Sequence, residues 1–173
     1  MNIKTDKDAF LLVAKRLIEQ NAKCLNEQGD CVYRGYSSSF MEQIKASAYE
    51  TVYGNDEDEA EQDNWYEGNN YFCVLMSETA PNLKCAAGHL ILDEFYDSFI
   101  EGEAVTAGNF AEQAIINSNP EWNYDGSSLE MLETLQTLHD RRLAEDWPSL
   151  LGKLEQWFDE DGTYIPNSIL SGF

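Results

Sequence analysis

Residues 83–103 read LKCAAGHLILDEFYDSFIEGE, and the rest of the chain is organised around them. The first half is apolar: Leu83, Cys85, Ala86, Ala87, Leu90, Ile91 and Leu92. The second half is acidic and aromatic: Asp93, Glu94, Phe95, Tyr96, Asp97, Glu101 and Glu103. One half has the composition of a core and the other that of a surface. Ala86, Ala87 and Leu90 favour a helix, whereas Gly88 and the turn at Pro81 permit a strand, so both conformations stay open here. Residues 93–100 predict a helical turn or a short helix.

N-terminal to this stretch, residues 6–25 predict an amphipathic helix. Thr5 caps it, Asp8 sits three residues on, and Phe10, Val13, Ala14, Leu17 and Ile18 follow helical spacing. Residues 30–35, DCVYRG, predict a short strand. Residues 40–53 predict a second helix with Met41, Ile44, Ala48 and Val52 on its apolar side. Residues 71–76, YFCVLM, read as a buried strand.

C-terminal to it, residues 109–117 predict a helix ended by Asn119-Pro120. Ser127 or Ser128 is expected to cap the next, which carries Leu129, Leu132, Leu135 and Leu138. A last helix starts near Pro148, with Trp147, Leu150, Leu151, Leu154, Trp157 and Phe158 at core spacing. The expected fold class is α+β: a helix-rich single domain over residues 1–173 with a small antiparallel sheet.

At 173 residues the chain can bury roughly two-thirds of its unfolded surface. No apolar run reaches the ~18 residues of a membrane span. The opening MNIKTDKD has no apolar signal region, so the expected compartment is cytoplasmic. Four cysteines (Cys24, Cys31, Cys73, Cys85) at irregular spacing suggest buried thiols and no disulfide framework.

Charge is the dominant global property. Thirty-two acids and 11 bases give −21, against the roughly 2–8 that keeps a small domain soluble. Such a chain repels nucleic acid and anionic membranes and attracts basic protein surfaces. The charge is also polarised: residues 46–140 hold 20 acids and one base, Lys84.

DCVYRG, LKCAAGHLILDEFYD, EGE and LQTLHD together resemble a family of small phage and prophage proteins. The pattern is CxYR, KCAxGxLIPDExYD, an acidic-Gly pair and LQxxHD. It is matched here by Cys31, Tyr33, Arg34, Lys84, Cys85, Ala86, Gly88, Leu90, Ile91, Asp93, Glu94, Tyr96, Asp97, Glu101, Gly102, Leu135, Gln136, His139 and Asp140. His89 stands where the family commonly has a second cysteine, and Leu92 where it has proline. The family joins its first two motifs by a short turn; here residues 36–82 form an acidic and aromatic insertion. The resemblance implies phage origin and carries no activity with it.

The insertion holds the densest charge. Asp56, Glu57, Asp58, Glu59, Glu61 and Asp63 are six carboxylates in eight residues, followed by Trp65 and Tyr66. A run of this kind is commonly a solvated segment. Duplex DNA, with one charge per ~1.7 Å of axis, is the other pattern it matches. The expectation is therefore a non-catalytic protein that blocks a host nucleic-acid-handling or defence protein by imitating DNA charge. The contact would comprise those residues with Asp93, Glu94, Asp97, Glu101 and Glu103, and Trp122 and Tyr124 are further candidate anchors.

Two other readings compete. Arg34, Lys84, Cys85, His89 and His139 can be assembled into a site for a small anion such as a signalling nucleotide. A cysteine and a histidine can also make a hydrolase. Arg34 has a structural role open to it as well, an ion pair with Asp93, Glu94 or Asp97. No metal or cofactor is expected. Cys85-x3-His89 supplies two zinc ligands where structural sites use four, and Glu61 occupies the position where a calcium loop beginning at Asp56 requires glycine.

Overall fold

A computed structural model describes residues 2–26, 31–53 and 83–166. Helix α1 spans Asp6–Gln20. The Thr5 hydroxyl accepts from the Asp8 amide and the Asp8 carboxylate accepts from the Thr5 amide, closing a capping box. The helix stops five residues before the expected end because Asn21 turns left-handed, with φ 46°. Ala9, Phe10, Val13, Ala14 and Leu17 are buried, whereas Ile18 is exposed.

The expected strand over 30–35 shortens to β1, Arg34–Gly35. Single bridges from Leu25 to Cys31 and Tyr36 hold its flanks. β1 pairs antiparallel with β2, Leu83–Lys84, in the register Arg34 to Lys84 and Gly35 to Leu83. Between them, α2 (Ser38–Tyr53) begins where the Ser37 hydroxyl accepts the Phe40 amide. It gathers Tyr36, Phe40, Met41, Ile44 and Ala48 into a cluster of its own beside the main core. The YFCVLM strand lies outside the described residues.

The open question over residues 83–91 resolves into both conformations. β2 is followed by a 3-10 turn, Ala87–Leu90. Gly88 has to be glycine: a Cβ there would lie 2.3 Å from the Tyr33 carbonyl oxygen. Two further 3-10 turns follow, Asp93–Phe95 and Ser98–Ile100.

Helices α3 (Phe110–Ser118), α4 (Gly126–Arg141) and α5 (Trp147–Leu154) complete five α-helices among the described residues. With the two-stranded antiparallel sheet they make a helix-rich α+β fold. The Ala87–Leu90 turn packs against α1, α3, α4 and β2, which places it at the centre of the core. Phe158 and Tyr164 then bridge and return the chain onto α1.

Two expectations are corrected. The cap of α4 is Asp125, whose carboxylate accepts from the Ser127 and Ser128 amides. Ser128 instead accepts from the Asp125 amide and donates to Asp6. Trp122 is no surface anchor: it is buried, and its Nε1 donates to Asp6 Oδ1 at 2.9 Å. Asp6 is itself buried and also accepts from the Tyr164 amide at 2.9 Å. This carboxylate ties α1 to α4 and to both flanking loops.

Candidate functional site

The strand pair fixes the geometry around residue 34. Antiparallel pairing sets Arg34 opposite Lys84, and the turn that follows brings Asp93 to both. Arg34 Nη2 lies 2.7 Å from Asp93 Oδ1, and Lys84 Nζ lies 3.4 Å from the same oxygen. Arg34 first, then Lys84, holds the Asp93 carboxyl below the usual carboxylate range. The guanidinium also stacks over Tyr96, 3.9 Å from the ring centre.

Beneath this pair sits Glu101. Its carboxylate accepts from the Tyr33 amide at 2.7 Å, the Arg34 amide at 3.1 Å and the Tyr96 hydroxyl at 2.6 Å. Burial first, then Glu101, pushes the Tyr96 phenol up. Arg34 and Lys84, the two cations of the small-anion reading, are thus engaged by a carboxylate of the chain itself.

Cys85 is buried, accepts from the Gly88 amide at 3.3 Å, and burial pushes its thiol up to about 12. His89 is half-buried. Burial first, then Lys84 and Arg16, pushes it down to about 4. Its Nε2 has no hydrogen-bond partner among the described residues.

Sequence spacing missed a second grouping. Cys31, His139 and Asp140 bring ligand atoms within 4.8 Å of one another. Cys31, Cys85 and Asp140 line a cleft of about 490 Å³ together with Tyr33, Glu103 and Gln136. The pattern suits a metal or a nucleophile, but the histidine is committed elsewhere. His139 Nε2 accepts from the Cys24 amide at 3.3 Å, so it carries no hydrogen. The ring proton then sits on Nδ1 and donates to Asp140 Oδ1 at 2.8 Å. Neither nitrogen offers a lone pair to Cys31 or to an ion. The ring is a buried pin, stacked on Trp147, joining the segment at Cys24 to α4.

The acids of residues 93–103 divide by direction. Glu101 turns inward. Asp97 caps a turn through the Phe99 amide at 3.0 Å. Asp93 serves Arg34 while staying 84% exposed. Glu94 and Glu103 are exposed. Around them the chain displays three phenylalanines: Phe95 is 38% exposed, Phe99 81% and Phe110 72%. With Ile100, Asp97 and Glu103 they line a groove of about 580 Å³. Phe110 stands at the edge of the buried series Ala111, Ala114, Ile115 and Ser118, four residues from Ala114, so spacing did not mark it as exposed. Phe99 had no such signal either. Tyr124, a predicted anchor, is half-buried with its hydroxyl donating to Glu112 at 2.9 Å. The sequence-predicted contact residues Asp56, Glu57, Asp58, Glu59, Glu61, Asp63, Trp65 and Tyr66 lie outside the described residues.

The chain matches no family model, no curated protein and no solved structure. Among the described residues, no helix is long and apolar enough to cross a membrane.

Proposed function

We propose that this protein binds a basic surface of a host nucleic-acid-handling or defence protein and blocks it with its own negative charge. The observation that carries the reading is the face formed by residues 93–110. There, exposed carboxylates and three exposed phenylalanines stand on a stretch, residues 85–140, that contains no lysine or arginine. An apolar centre with a charged rim is the usual anatomy of a protein–protein interface. Large exposed aromatic side chains are its usual anchors. The −21 charge selects basic partners and speeds encounter with them.

The class of partner rests on two further supports. One is the resemblance to phage proteins. The other is the 56–63 carboxylate run, whose charge density suits a groove that otherwise holds DNA.

The test is capture of host proteins by the immobilised full chain at about 50 mM and about 500 mM salt, where screening lengths differ severalfold. The expected catch is a nucleic-acid-handling or defence protein, identified by mass spectrometry, released at the higher salt and competed off by duplex DNA. Reversing four of the charges at 56–63 weakens its capture. A catch insensitive to salt and to DNA overturns the reading.

A further inference from the structure

We infer that the groove between the Ser98–Ile100 turn and α3 is a docking site for a partner segment carrying large apolar side chains flanked by lysine or arginine. The inference rests on the binding reading above and gives it a specific contact.

Phe99 and Phe110 expose most of their surface on the same rim, and Phe95 adds a third ring. Isolated exposed apolar residues are common, but three phenylalanines around one concavity are a patch that water disfavours. The volume of about 580 Å³ falls within the roughly 300–1,000 Å³ of ligand pockets. The floor is made by Ile100 and Ala114, both buried, so the depression is anchored on the core.

The rim selects the occupant. Asp97 and Glu103 line the groove, Glu94 lies exposed next to Phe95, no lysine or arginine is among the described residues that line it, and Arg34 and Lys84 are engaged by Asp93. A second copy of the chain would bring another −21 to this face and be repelled. An anionic lipid surface would be repelled for the same reason. A cationic, apolar segment satisfies both halves: its hydrophobic side chains enter among the rings, and its charges meet the rim carboxylates.

The experiment uses three labelled peptides with the full chain: a 12-residue peptide alternating leucine or tryptophan with lysine, a six-residue oligolysine of equal charge, and the first with glutamine in place of lysine. Fluorescence anisotropy reads binding. The alternating peptide is expected to bind most tightly and to lose about tenfold or more on the double change Phe99→Ser, Phe110→Ser. Oligolysine binding is expected to stay unchanged in that variant. Both side chains are exposed, and circular dichroism checks that the fold is kept. Asp97→Asn with Glu103→Gln gives a second route, weakening the alternating peptide more than its glutamine analogue.

Equal binding of oligolysine and the alternating peptide, unaffected by the phenylalanine changes, overturns the groove while leaving charge-driven partner binding standing. Salt-insensitive capture of host protein, by contrast, removes the parent reading. A wild-type dimer that the phenylalanine changes dissociate, or binding to anionic vesicles that they abolish, assigns the groove to another occupant and also overturns the inference.

Discussion

Arg34 and Asp93 form an ion pair at 2.7 Å across 59 residues of sequence, with the arginine largely buried and the aspartate at the surface. Lys84 joins the same carboxylate, and Tyr96 covers the guanidinium. The pair closes the first strand onto the turns that carry the acidic face. It therefore governs how that face is presented.

The Asp93 carboxyl is held low in the folded protein, so its contribution is present above the ordinary aspartate value near 3.9. It is lost as pH falls through the depressed folded value. Asp93→Asn is accordingly expected to lower Tm at pH 7 and to make progressively less difference below about pH 4. Thermal unfolding of both proteins between pH 3 and 7 checks this. A difference that grows on acidification would contradict the assignment.

Glu101 was expected at a partner interface and instead accepts three hydrogen bonds inside the fold. Glu101→Ala leaves the Tyr33 and Arg34 amides without their acceptor. A loss of about 3 kcal/mol or more follows, since two amide bonds to a charged acceptor are removed and each is worth roughly 1.5–3. Urea unfolding measures it. If the variant matches wild type in stability, the carboxylate is not buttressing β1.

Asp6 should be the most sensitive acid in the chain. It is buried and receives Trp122 Nε1, the Ser127 and Ser128 hydroxyls and the Tyr164 amide. Asp6→Ala removes the acceptor of all four donors and is expected to cost about 4 kcal/mol or more. Asp6→Asn also fails, because its NH₂ faces groups that donate. Exposed Glu94→Gln serves as the control and is expected within about 0.5 kcal/mol of wild type.

Burial shifts Cys85 and His89 in opposite directions. With its thiol near 12, Cys85 is expected to resist iodoacetamide at pH 8 in the native protein and to react once unfolded, as read by mass spectrometry. For His89 the folded value lies near 4, below the ordinary 6.5. The unfolded chain therefore takes up its proton first, and stability falls as pH drops from 6.5 to 4. An NMR titration of the imidazole should show a midpoint near pH 4, and His89→Gln should remove that part of the pH dependence.

Local chemistry made much of this legible in advance. The Thr5–Asp8 capping box, the buried series of α1 and the apolar side of α4 depend on periodicity and on contacts three or four residues apart, which a sequence displays directly. The acid-rich, base-free middle is likewise a property of composition. The α+β class followed from these, although the strands proved to be two residues each.

Direction was what only the tertiary structure decided. Glu101 and Glu103 are two residues apart with the same charge, yet one holds β1 and the other borders the groove. Trp122 sits in an acidic loop and is buried, while Phe99 sits in another and is exposed. His139 and Asp140 look like ligands until the Cys24 amide, 115 residues away, occupies Nε2 and fixes the ring proton on Nδ1. The physical reason is common to all three. A side chain's role is set by which distant donor, acceptor or apolar wall reaches it, and that information lies in the packing of α1, α4 and the Ala87–Leu90 turn around one another.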